Sequence, residues 1–258
     1  MNQRRRQFLT GVSFVGAGVL LVGCQKETES GSTTSSGNTS AKKSANKADE
    51  LSSDEAAAEV TAAEDLMREH GILRRALLVY QESAIKLKQD PNSIPPDALE
   101  KAAQLFRAFG EDYHEKRLEE AYILPAVKKV QNQASSYADI LLAQHIRGRE
   151  ITDYLLASTK GDKIPSANMA SFISALETFV RMYEHHTAVE DTIVFPAWKE
   201  VIGAKEMDEL AVKFEEIEEE IFGEDGFEAA ATRMEEIEQS LGLNNLEQFT
   251  APAPPSHT

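Results

Sequence analysis

Cysteine is nearly missing from this chain. The single one is Cys24, so no intramolecular disulfide staples the fold, no thiolate cluster holds a metal, and no cysteine nucleophile serves the body of the sequence. Basic charge is scarce as well: 27 Lys and Arg face 43 Asp and Glu, for a formal net charge of −16. Arg4, Arg5 and Arg6 sit in the first 24 residues, which hold no acid, so the remainder is more negative still. A surface of that sign repels a phosphate backbone and excludes nucleic acid as a partner. Segments alternating apolar and polar residues are wanting too, which leaves strands without a sequence basis and makes the fold all-α. At 258 residues the length is that of one or two domains.

What is present begins with an arginine cluster, an apolar run of about 15 residues and small residues before Cys24, a run too short to span a bilayer comfortably and laid out like a secretory signal. Arg5-Arg6-Gln7-Phe8-Leu9 resembles a twin-arginine export signal, and Leu21-Val22-Gly23-Cys24 resembles a bacterial lipobox with Cys24 as the lipidated residue. The alternative is an uncleaved signal anchor. Twin-arginine export carries folded proteins, which suits a cofactor loaded before crossing. From Gln25 to about Ala48 the chain is Ser, Thr, Gly, Lys and Asn with nothing apolar larger than alanine, hence a flexible tether. These features divide the sequence into a signal with lipobox (1–24), a tether (25–52), a helical bundle (53–200), a helical extension (201–245) and a disordered tail (246–258).

Four long helical patterns make up the bundle. The first runs from Ser53 to Gln89, capped by Ser53 or Asp54 and stopped at Asp90-Pro91; the others run from about Asp97 to Asn132, Ser135 to Thr159, and Pro165 or Ser166 to Pro196. Short connections make neighbouring helices antiparallel, which gives an up-down-up-down four-helix bundle with two extra C-terminal helices, Glu206 to Phe222 and Phe227 to Leu241. The glutamate-rich face of the first extra helix reads as a solvated surface.

Each bundle helix carries one histidine on its apolar side: His70 in register with Leu66, Leu73 and Leu77, His114 with Leu118, His145 with Leu141, and His186 with Phe179, Met182 and Ile193. A core stripe rarely tolerates an imidazole, and four of them with carboxylates nearby suit a metal site in a bundle core. His186 and Glu190 differ by about 40° around an ideal helix and can reach one centre, whereas His114 and Glu119 differ by about 140°. Either a π-bulge turns Glu119 inward, or Glu115 supplies the carboxylate. His114 lies eleven residues before Pro125 and His186 ten before Pro196, so one inserted residue accounts for the mismatch and favours the bulge. His185 is the reserve ligand. A ferritin-like metal buffer would repeat a Glu-x-x-His step on two helices; the step occurs once, at Glu111 to His114.

The residues that carry this pattern are Glu69-His70-Gly71, Tyr113-His114 with Glu119-Glu120 before Ile-Leu-Pro125, Gln144-His145, and His186 with Glu190-Asp191 before Val-Phe-Pro196. Over about residues 55–200 they resemble the hemerythrin-like HHE cation-binding domain, a four-helix bundle with a non-haem di-iron centre; myohemerythrin is a standard bundle example. The resemblance implies His70, His114, His145 and His186 as terminal ligands and Glu119 and Glu190 as bridges between two irons, with manganese second to iron. It departs from oxygen-carrying hemerythrins at Arg149, where they place a second histidine one turn after the first; Glu69, Asp65, Glu150 or water would complete the shell. The implied function is an exported, membrane-tethered metal-binding protein in the cell envelope that meets oxygen or peroxide, as carrier or sensor. A di-iron oxidase or peroxidase-like enzyme, using Tyr113 or Tyr183, is the alternative, and a metal buffer or purely structural bundle is the second. No protein partner is indicated.

Overall fold

The computed structural model describes residues 60–223 and 226–255, all helix, turn or irregular chain. The expected signal, tether and helix start at Ser53 lie outside the described residues. Helix α1 (Ala62–Gln89) begins on a capping box, with the Thr61 hydroxyl accepting from the Glu64 N–H and the Glu64 carboxylate accepting from the Thr61 N–H. It ends before Pro91, which disfavours helical backbone at Asp90. The second rod opens with Pro96, whose missing N–H costs nothing in a first turn, and runs unbroken through α2 (Pro96–Leu105), a π-helical segment (Phe106–Ile123) and α3 (Leu124–Val127). After a short 3-10 turn, α4 (Ala138–Ser158) forms the third rod. The fourth comprises α5 (Met169–Val189), a π turn (Glu190–Val194) and the start of α6 (Phe195–Phe222).

The two π segments share a physical cause. Each ends two residues before a proline, Pro125 or Pro196. A helical proline offers no N–H and its ring crowds the carbonyl four residues back. An i→i+5 turn ahead of it, closed by the Leu124 N–H to the Glu119 carbonyl and by the Phe195 N–H to the Glu190 carbonyl, relieves that crowding. In the second rod the widening is not a single bulge but spans Phe106 to Ile123, so His114 and Glu119, five apart, stack on one face.

The first rod packs on the second and fourth, and the third on the same two, so consecutive rods are neighbours in an antiparallel bundle. Away from the histidines the core is aromatic: Tyr80, Phe106, Phe179 and Tyr183 meet edge to face or tilted at 4.7–5.6 Å between centroids. Gly203 (φ 73°, ψ 172°), a conformation open essentially to glycine, turns the chain out of the fourth rod within α6. The remainder of α6 and α7 (Gly226–Ser240) then lie along the bundle as the expected extension. Phe222 packs 5.4 Å from Tyr113, Phe214 stacks 6.1 Å from Trp198, and Arg75 pairs with Glu238 at 2.6 Å. Where the sequence places a disordered tail, Leu246–Phe249 forms a 3-10 turn capped by Asn245. No helix among the described residues is long and apolar enough to cross a membrane.

Candidate metal centre

The four rods bring one imidazole each to a common buried place. His70 (α1) and His114 (second rod) set their Nε2 atoms 3.0 Å apart, and His145 (α4) and His186 (α5) set theirs 3.1 Å apart. Two carboxylates lie between the pairs. Glu119 presents Oε1 to His114 Nε2 and Oε2 to His145 Nε2, both at 3.3 Å. Glu190 presents Oε2 to His70 Nε2 at 3.5 Å and Oε1 to His186 Nε2 at 3.0 Å and His145 Nε2 at 4.0 Å. Each half therefore offers two imidazole nitrogens and one oxygen from each glutamate. All six side chains are at most 3 % exposed, so water does not solvate this charge.

The outer ring nitrogens are tied down. His70 Nδ1 faces Asp191 Oδ1 at 2.7 Å, His114 Nδ1 faces Glu69 Oε2 at 2.7 Å, His145 Nδ1 faces Glu120 Oε1 at 3.1 Å, and His186 Nδ1 faces Gln144 Oε1 at 2.9 Å. An oxygen acceptor there holds the proton on Nδ1 and leaves Nε2 with its lone pair directed inward. With the imidazoles neutral, four lone pairs thus converge on four carboxylate oxygens, and none of the Glu119 or Glu190 oxygens has a hydrogen-bond partner. Acceptors facing acceptors in a dry interior are costly unless a cation or protons lie among them.

Electrostatics express the same conflict. Burial and the Glu119 charge push the Glu190 carboxyl well above the usual range. Glu119, although burial opposes it, is held well below that range by His114 and His145. Burial likewise opposes protonation of His114 and His145, yet Glu119 and Glu69 raise the first, and Glu115, Glu119 and Glu120 the second, well above ordinary imidazole. Burial, then the neighbouring His145, lowers His186 to about 3. Adjacent groups driven apart this far are the mark of a site built for another charge. Nitrogen and carboxylate donors in this number suit first-row cations such as iron, manganese or zinc. The donors of Glu119, His145, His186 and Glu190 lie within 4.8 Å of one another, as do those of His70, His114 and Glu119, so the residues present fit such an ion in each half.

A third group, Glu115, Glu120 and His145, also meets that spacing, but a side chain already supplies its positive charge. Arg149 donates to Glu115 Oε2 at 3.1 Å and lies 2.8 Å from Glu120 Oε1. The other Glu115 oxygen accepts the Tyr183 hydroxyl at 2.7 Å. That hydroxyl passes through space that only a glycine leaves open, because a Cβ on Gly148 would lie 2.0 Å from it.

The structure thus assembles His70, His114, Glu119, His145, His186 and Glu190. Glu69 and Glu115 stand beside them, Glu69 backing His114 and taking the Tyr113 hydroxyl at 3.0 Å, Glu115 occupied as above. His185 is corrected: it is exposed on the outer side of α5, because that helix stays regular through His186 and distorts only from Glu190. Asp65 and Glu150, the other candidates for completing the shell, pair with Arg68 and Arg147. Glu111 sends its oxygens to Thr152 and Arg107. Cys24 lies outside the described residues.

Sequence reasoning missed the roles of Asp191, Glu120 and Gln144, though a signal existed. Each Nδ1 partner is the chain neighbour of an inward-facing site residue (69/70, 119/120, 144/145, 190/191) but serves an imidazole on the next rod. One residue turns about 100° on a helix, so a neighbour of an inward residue faces the adjacent helix. First rod holds second, second holds third, third holds fourth, and fourth holds first.

The profile of the hemerythrin HHE cation-binding domain matches residues 61–198. Uncharacterized proteins of Mycobacterium bovis and Mycobacterium tuberculosis are 42% identical over 191 residues, covering 72% of this chain and 72% of each relative. No solved structure matches the chain.

Proposed function

The chain belongs to the hemerythrin HHE cation-binding family, and from that premise we propose that it is an exported, membrane-tethered non-haem di-iron protein that binds or senses oxygen or a related small oxidant. One observation carries the reading: two glutamates, each with both oxygens buried and unsatisfied, lie between two pairs of imidazoles whose Nε2 lone pairs point at them. His70 and His114 would hold one ion, His145 and His186 the other, and Glu119 and Glu190 would span both. A bound pair of irons supplies one-electron redox chemistry and coordination space for a small oxidant. The protein's part is to fix the nitrogens through their Nδ1 partners and to keep water out. Phe195, stacked 5.3 Å from His70, and Tyr183, 5.3 Å from His186, wall the centre and favour a diatomic or similarly small ligand. Export and anchoring rest on the motifs of residues 1–24 and the tether behind them.

Metal analysis of protein purified from its own host, with absorption spectra under air and under reductant, tests the proposal. Two irons per chain and a spectrum that changes reversibly support it; protein without metal overturns it. Release from membranes on Cys24→Ala tests the anchor. A second reading, an oxidase or peroxidase-like enzyme, draws on the Tyr113 and Tyr183 hydroxyls bonded to Glu69 and Glu115 beside the centre. Sustained peroxide turnover lost in Glu190→Ala favours the enzyme, whereas stoichiometric oxygen uptake without turnover favours a carrier or sensor.

A further inference from the structure

The two halves offer the same inner donors, two imidazoles and one oxygen from each glutamate, but what stands behind the imidazoles differs. On the His70/His114 half both Nδ1 partners are carboxylates at 2.7 Å, the length of a charge-assisted bond. Arg74 pairs with Asp191 Oδ2 and the Tyr113 hydroxyl bonds Glu69 Oε1, whereas Asp191 Oδ1 and Glu69 Oε2 face the imidazoles. On the His145/His186 half the support is poorer twice over. His145 meets Glu120 at 3.1 Å on Oε1, the oxygen that also faces Arg149 at 2.8 Å, so its basicity is shared. His186 meets the neutral amide oxygen of Gln144. Glu115 adds negative charge to this side, but its oxygens accept from Tyr183 and Arg149.

A carboxylate opposite Nδ1–H draws the proton and makes Nε2 a stronger donor, and a neutral amide does this less. We propose that the centre is graded, with the His70/His114 half holding its divalent cation tightly, the His145/His186 half forming a weaker, exchangeable position, and Gln144 setting much of the difference. This rests on the cation-binding reading above, and adds to it an order of loading and a position where one first-row ion is replaced by another while its neighbour stays.

The full chain, stripped of metal and checked for helix content, is titrated with Co2+ by calorimetry and visible absorption. Loaded protein is then passed over a chelating resin and its ions are counted. Wild type takes up two ions in steps at least about tenfold apart and retains one on the resin. Gln144→Glu strengthens the second step by about 10–100-fold and retains both ions, while Gln144→Met, which removes the partner without adding charge, weakens that step. Glu69→Gln weakens the first step instead, and His186→Asn retains one ion. Two ions bound with a single affinity, or a step separation unmoved in both Gln144 variants, overturns the grading while leaving the dinuclear reading intact. Failure of wild type to bind any ion sinks that reading and the grading with it.

Discussion

Replacing Gly148 by alanine tests whether Tyr183 is anchored across the bundle as described. The new methyl would lie 2.0 Å from the tyrosine oxygen and 2.8 Å from the ring carbon that carries it, with the ring buried among Phe106, Phe179 and His186 and with nowhere to retreat. Overpacking of this kind costs about 1–3 kcal/mol. The hydroxyl's 2.7 Å bond to the buried Glu115 is broken as well, a loss of about 1.5–3 kcal/mol for a bond to a charged acceptor. Alanine's better helix propensity returns about 1 kcal/mol, so the net destabilisation is about 1.5–5 kcal/mol. Urea unfolding followed by circular dichroism measures it. Tyr183→Phe removes the nearest clashing atom, so Gly148→Ala costs less in that background than in wild type, and the coupling energy reports the contact itself. A Gly148→Ala protein as stable as wild type, or no coupling between the two changes, refutes the reasoning.

Three other outcomes are expected. Burial first, and then Glu115, push the Glu111 carboxyl up to about 7, against the partial relief of Thr152 and Arg107. Its folded-state pKa is raised, so the folded protein binds the extra proton. Its contribution is most favourable below about pH 4.5 and declines towards pH 7, by at most about 3 kcal/mol; the slope of urea midpoint against pH over that window is flatter in Glu111→Gln, and identical slopes count against a buried carboxylate there. Chelator treatment lowers the melting temperature of metal-loaded protein, because an ion at 100 times its Kd adds about 2.7 kcal/mol to the folded state; an unchanged melting curve rules out a stabilising centre. Gly203→Ala forces a side chain into a backbone region nearly reserved for glycine and costs about 1–3 kcal/mol by urea titration, with little effect if the α6 turn can straighten.

Helix count, connectivity and the inward histidines were legible because a 3.6-residue period survives in the spacing of Leu66, Leu73 and Leu77 or of Phe179, Met182 and His186. The geometry of Glu119 was legible only as a contradiction. A five-residue step fits no ideal α-helix, and comparison with the distances to Pro125 and Pro196 pointed to a distortion, though not to its reach from Phe106 to Ile123, which depends on i→i+5 bonds that no local propensity encodes. The expected helix start at Ser53 lies outside the described residues; the described α1 begins on Thr61, and the reciprocal bond with Glu64 marks that cap. Asp191, Glu120 and Gln144 stayed hidden for a different reason. A partly exposed polar residue beside an inward one looks like ordinary surface until the adjacent rod is put in place.

The order of those hidden residues has a bearing on how the chain settles its own chirality. Going upward along a right-handed helix, successive residues rotate one way as seen from above; going downward they rotate the other way. On the first and third rods the supporting residue precedes the inward one (Glu69, Gln144), and on the second and fourth it follows (Glu120, Asp191), so all four lean in the same sense around the axis. A bundle wound the opposite way could bury much the same leucines and phenylalanines, but every one of these four would then turn its back on the imidazole it should meet. Greasy contacts discriminate poorly between mirror-related windings; the polar girdle does so four times over, which makes these side chains arbiters of topology as well as attendants of chemistry.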